Sequence, residues 1–314
     1  MNRADKFTPP HRYRSFYHKW PWIVRLANSR RPKLRCAGAL IGRNLVVTAA
    51  HCVTKFKPDD ITVYAGDYHL HHRDQYETRL KVKEMIVHPF HYVYHVSNGK
   101  DVMDVNDIAL LWLHDAIKCS HHLSIALLPS PTLAMHQFQL QHREAVSEFK
   151  SCHVAGWGKT AFDGDYPDQM HEASVSLLSR QHCSNSTFYG SKIKYGMICA
   201  GDLTRWKSDS CTGDSGAPLV CKLRHVTRHN ERNQRYGHMD SNTSGRYYVS
   251  LWHLVGVVSW GYQCARHQKP GVYTDVSSYQ HWIMREIRSR KKLQADFWRD
   301  LRNCRPHYTS LLYQ

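Results

Sequence analysis

Short apolar runs, rich in β-branched and aromatic residues and closed off by Gly, Asn or Asp, recur along this chain. They include WIVRL (22–26), GALIG (38–42), NLVVTAA (44–50), DITVYAG (60–66), IALLWL (108–113) and LVGVVSW (254–260). Runs of this length and punctuation read as β-strands. Helical periodicity is clear only near the end. There SSYQHWIMREIRSRKKL (277–293) gathers Trp282, Ile283 and Ile287 on one side, with Met284 at its margin, and Ser277 or Ser278 can cap it. Many short strands and one late helix predict an all-β barrel or sandwich.

With 314 residues, 42% of them hydrophobic, the chain can fill one large domain or two smaller cores. No apolar run is long enough for a bilayer-spanning helix. The first twenty residues hold basic side chains but no apolar stretch of the kind an export signal needs. The cysteines point outward nonetheless. There are ten, without a C-x-x-C pair, which favours disulfides in an oxidising compartment over a zinc knuckle. Sequons at Asn185 and Asn242 agree. The expectation is an extracellular glycoprotein whose export signal lies outside the residues given.

A net charge of +17, with 24 histidines besides, suits polyanions such as sulfated glycans, more strongly on acidification. A merely solvated basic surface fits the same numbers. No nucleic-acid-reading motif is present. Three segments read as appended or inserted: the basic 1–19, the polar 222–247 as a long exposed loop, and the basic tail 291–314.

The stretch DSCTGDSGAPLVC (209–221) sets a serine between glycines. A serine hydroxyl becomes a nucleophile only beside a base that an acid orients. His51, in TAAHC after one apolar strand, and Asp107, in NDIALL before another, are the candidates. TAAHC, DIALL and GDSGAP in that order, with PWIVRL, CAGALIG, AGWG, SWG and KPGVYTDV, resemble the trypsin/chymotrypsin family of serine proteases. The resemblance runs from about residue 20 to 288.

That resemblance implies two six-stranded antiparallel Greek-key barrels with the site between them and a C-terminal helix. Barrel one would span about 20–128, barrel two about 129–277 and the helix about 278–290, within a protease domain of 20–289. It implies catalysis by His51, Asp107 and Ser215, with the Gly213 and Ser215 amides as the oxyanion hole. Ala217 stands where the family usually has glycine, a change that is tolerated unless the local φ is positive. Asp209 would form the base of a pocket for substrate Arg or Lys, with Gly261 and Gly271 as its walls. The Ser259, Trp260 and Gly261 backbone would pair with the peptide as an added strand. No cofactor is required. Protein substrates and protein inhibitors are the implied partners.

Four disulfides are likewise implied: Cys36–Cys52, Cys152–Cys221, Cys183–Cys199 and Cys211–Cys264. Cys119 and Cys304 are left to join each other or another chain. The segment 66–77 has the length of a calcium loop found in some members, with Asp67, Asp74 and Glu77 at its acidic positions. Its HLHH cluster (69–72) reads more simply as exposed histidines than as a site for zinc or copper. In the family, cleavage frees an Ile or Val ammonium that pairs with the acid before the serine, here Asp214. This sequence holds no I-V-G-G, and TPPHRYRSF (8–16) stands in that region. Asp214 then either distorts its loop or draws in a nearby Arg or Lys. Two functions stay open: an Arg/Lys-directed endopeptidase, and a weakly active or inactive homologue that binds polyanions or serves in adhesion.

Overall fold

The computed structural model describes residues 12–28, 35–95, 102–129, 151–202, 208–228, 238–239, 246–290 and positions 297, 299 and 304. In chain order its strands are β1 (Tyr13–Arg14), β2 (Ile23–Asn28), β3 (Cys36–Gly42), β4 (Leu45–Thr48), β5 (Ile61–Ala65), β6 (Thr78–Val87), β7 (Tyr92–His95), β8 (Val102–Val105) and β9 (Ala109–Leu113). Then follow β10 (Ser151–Gly156), β11 (His171–Leu178), β12 (Met197–Gly201), β13 (Pro218–Arg228), β14 (His238–Met239), β15 (Arg246–Trp260) and β16 (Gly271–Asp275). The helices are a one-turn α1 (Arg180–Cys183) and α2 (Val276–Arg288).

Two closed six-stranded antiparallel barrels result. The first runs β2-β3-β4-β9-β6-β5. The second runs β11-β10-β13-β15-β16-β12 and closes through β11–β12 pairing. The reason is visible in each strand. In β6, Leu80 and Val82 turn inward while Arg79, Lys81 and Lys83 face water, the period-two alternation of a half-buried strand. Strands β3, β4 and β9 are buried throughout, as continuous apolar runs require. The core is centred on residues such as Trp22, Leu40, Leu111 and Trp112.

Four expectations needed adjustment. Helix α2 begins at Val276 rather than about 278. Its N-cap is Asp275, whose carboxylate accepts from the Ser277 amide and from both serine hydroxyls. Residues 12–19 do not hang off the domain: β1 pairs with β11 and Ser15 N donates to Met170 O at 3.0 Å. The segment 222–247 is not simply a loop, since β13 and β15 extend as a hairpin through the pair Arg228↔Arg246. The tail reaches the core at Phe297 and Cys304. All five disulfides are present, including Cys119–Cys304. Asn185 is exposed, whereas Asn242 lies outside the described residues. Among the described residues no helix is long and apolar enough to cross a membrane.

Candidate active site between the barrels

His51 lies in a single 3-10 turn, Ala50–Cys52, that leaves the buried strand β4. The Cys36–Cys52 disulfide ties that turn back to β3. Asp107 follows Asn106, which occupies the left-handed region at φ 53°, a conformation that asparagine tolerates better than most residues. Asn106 is fixed there by Tyr279, whose hydroxyl donates to the Asn106 side-chain Oδ1 at 2.8 Å.

The two meet directly. His51 Nδ1 and Asp107 Oδ2 are 2.7 Å apart, and the His51 amide donates to Oδ1 at 2.9 Å. Barrel two holds the same aspartate: Ser259 Oγ donates to Oδ2 at 2.5 Å, and Thr274 Oγ1 donates to the Asp107 carbonyl at 2.6 Å. Ser259 reaches it because the β15–β16 register shifts between Val258 and Trp260, and a bulge re-aims a side chain in this way. The sequence motif implies only a backbone role for Ser259, and nothing in it marks the hydroxyl's contact with Asp107. His91 adds a second acid–base pair, with Nε2 at 3.0 Å from Asp104 and 3.9 Å from Asp107.

Burial by itself pushes the Asp107 carboxyl up. The neighbouring His51 and the hydrogen bonds from His51 and Ser259 outweigh it and hold the group below the ordinary aspartate value. Burial likewise lowers His51, and the Asp107 charge and hydrogen bond more than restore it, so its pKa is raised.

Ser215 sits on a loop wedged against barrel one. Its carbonyl accepts from Ala37 N at 2.8 Å. A Cβ on Gly216 (φ +80°) would come within 2.2 Å of Ala37 O and 2.3 Å of Thr48 Oγ1, so only glycine fits beside the turn that carries His51. Gly213 needs its glycine for a different reason, a φ of +98°. Among the described residues neither the Gly213 nor the Ser215 amide donates a hydrogen bond, and Ser215 Oγ makes none either. Ala217 is buried with an ordinary φ, so the departure from glycine costs no backbone strain.

Asp209 is buried at 2% exposure. Its Oδ1 accepts from the Ser210 and Gly271 amides at 2.8 and 3.2 Å, and its Oδ2 from Ala265 N at 3.1 Å. Burial pushes its pKa up to about 7 against those donors. Gly271 lies directly on this carboxylate: a Cβ there would fall 2.6 Å from Oδ1. Trp260, Gly261 and Tyr262 line an adjoining cleft with Lys192 and Arg266.

The acidic positions of the 66–77 loop are taken up internally. Arg25 pairs with Asp67, and Arg79 pairs with Glu77 at 2.6 Å. Asp74 accepts from the Tyr68 and His69 amides, the His69 ring and the Tyr17 hydroxyl. Protein donors thus already engage most of these oxygens, while Asp67 Oδ1 is buried without a hydrogen-bond partner among the described residues; a calcium cage would need several carboxylates turned toward one ion. His69, His72 and Asp74 bring ligand atoms within 4.8 Å of one another, but the Asp74–His69 hydrogen bond already spends one of those atoms on each.

Two closed six-stranded barrels, with the His51–Asp107 pair held by residues of both, make up the architecture of a known family. The trypsin family model matches residues 11–283, and the chain belongs to the trypsin family.

Proposed function

We propose that the chain is a secreted serine endopeptidase that hydrolyses peptide bonds after arginine or lysine. The observation that carries the reading is the His51–Asp107 hydrogen bond set beside a Ser215 loop with two undonated amides. Ser215 Oγ attacks the scissile carbonyl and passes its proton to His51 Nε2. Asp107 holds the imidazole tautomer and stabilises the imidazolium. The carbonyl oxygen, now an anion, takes hydrogen bonds from the Gly213 and Ser215 amides. His51 then gives the proton to the leaving amine. Water, deprotonated by the same imidazole, hydrolyses the acyl-enzyme. In this mechanism the Ser215 hydroxyl comes into hydrogen-bonding contact with His51 when substrate fills the cleft.

Asp209 supports the choice of bond, because a buried carboxylate with only neutral donors favours a cationic side chain. Five disulfides support an oxidising, extracellular setting. The net charge of +17 supports sulfated glycans as accessory partners.

Fluorogenic peptides that differ only in the residue before the scissile bond test this reading. Arg and Lys peptides are turned over, while Phe, Ala and Asp peptides are not. No turnover of any peptide, with retained binding to sulfated glycans, would favour the adhesion reading instead.

Two further outcomes follow from the Asp209 surroundings. Benzamidine binding weakens as pH falls through about 7, where Asp209 takes up a proton. The sign follows from a raised carboxyl pKa: the attracting charge is present above it and lost below it. Calorimetry on a His51→Ala variant checks this without the neighbouring imidazolium, and a pH-independent affinity would count against it. Gly271→Ala places a methyl on the carboxylate and lowers kcat/KM for Arg peptides by about 10²-fold. Labelling of Ser215 by a small serine-directed reagent persists in that variant.

A further inference from the structure

We propose that Arg12 is a built-in counter-ion for Asp214 that holds the 211–216 loop in working shape, so that the oxyanion site forms without a cut upstream. Its activity arm rests on the protease reading above; its binding arm does not.

The Asp214 side chain is fully buried, and so is the Arg12 side chain that meets it. The guanidinium is bidentate, with Nη1 donating to Oδ2 at 2.7 Å and Nη2 to Oδ1 at 3.1 Å. Nη1 also donates to Lys159 O at 2.9 Å. The amides of Gly158 and Cys211 complete the set, each at 2.9 Å from one carboxylate oxygen. The space is cut to this pair: a Cβ on Gly156 or Gly158 would strike the carboxylate at 2.5 Å. Asp214 lies between Gly213 and Ser215, the two residues whose amides are undonated. Its position therefore sets where those amides aim.

Arg12 is delivered by a docked strand rather than by chance. Tyr13 and Arg14 pair with Glu172 and His171 of β11. Tyr68 OH donates to Ser15 O at 2.6 Å, and the buried Glu172 gathers Ser15, Lys19 and Trp20. An incoming ammonium would have to displace this assembly to reach Asp214. A planar, always-charged fork suits a buried carboxylate better than an ammonium does, so Arg12 leaves Asp214 no need for a second cation.

The test uses the full chain, its N-terminus verified intact by mass spectrometry. In a Ser215→Ala background, p-aminobenzamidine fluorescence reports whether the Asp209 pocket is formed. The probe binds when Arg12 is present, and chemical blocking of the α-amino group changes nothing. Arg12→Ala weakens binding by about 100-fold, Arg12→Lys by only about tenfold, and added guanidinium ion restores part of the Arg12→Ala loss. Should Arg12→Ala not fold, Arg12→Gln keeps donors without charge and reads the same loss. With Ser215 in place, Arg-peptide hydrolysis follows the same order, with the fall in kcat. Probe binding or hydrolysis that appears only after upstream cleavage would overturn the inference, as would an Arg12→Ala protein that matches its parent. Arg12-dependent probe binding without hydrolysis in any form would defeat the protease reading and leave this inference standing.

Discussion

Replacing Ser215 by alanine lowers kcat for Arg peptides by about 10⁶-fold. The size follows from the role proposed for the side chain: it is the group that becomes bonded to substrate, and its proton is the one His51 takes in the first step. Folding is spared. Ser215 Oγ carries no hydrogen bond among the described residues, and the loop is fixed instead by main-chain bonds from Ala37 to Ser215 O and from Gly216 to Val258 O. Substrate binding is spared as well, because Asp209 and the glycines above it are untouched. Steady-state kinetics separate these effects: kcat collapses and KM stays. A variant that kept more than a trace of activity would mean that another nucleophile operates.

Asp107→Asn costs about 10⁴-fold in kcat and shifts the pH profile. Asp107 now raises the His51 pKa above the ordinary histidine value despite burial. The base is neutral only above that pKa, so activity rises with pH through it. With the carboxylate replaced by an amide, the charge that opposed burial is gone. The His51 pKa falls and the acid limb moves to lower pH. An asparagine amide facing Nδ1 can also select the wrong tautomer, which removes the lone pair from Nε2. Ser259 donates to the same oxygen that faces His51 Nδ1, so an amide nitrogen turned toward His51 also costs Ser259 its acceptor. A rate–pH profile with an unmoved acid limb would show that Asp107 does not govern His51.

Most of the fold was legible because its strands announce themselves. IALLWL and NLVVTAA are apolar on both faces, as β9 and β4 require. The candidate site was legible through motifs at strand ends, since the chemistry demands fixed residue types there. What escaped has physical reasons. Arg12 is one basic residue in a basic stretch, and nothing local distinguishes it; its meaning comes from Asp214, about two hundred positions away. The Ser259 hydroxyl reaches Asp107 through a bulge, and register shifts leave no mark in periodicity. The 222–228 stretch reads as loop from its charge, yet pairing with β15 engages its backbone in a hairpin. The acids of the 66–77 loop matched a calcium pattern in spacing alone, and spacing does not reveal that Arg25 and Arg79 already neutralise two of them.

The central claim is that His51 and Asp107 make the Ser215 hydroxyl a nucleophile at neutral pH. Mass spectrometry after treatment with an arginine-mimicking aryl phosphonate tests it most directly. One covalent adduct, mapped to Ser215, is expected in the parent chain and is lost in His51→Ala. An unmodified Ser215 at saturating reagent, or an adduct that forms equally well without His51, would contradict it.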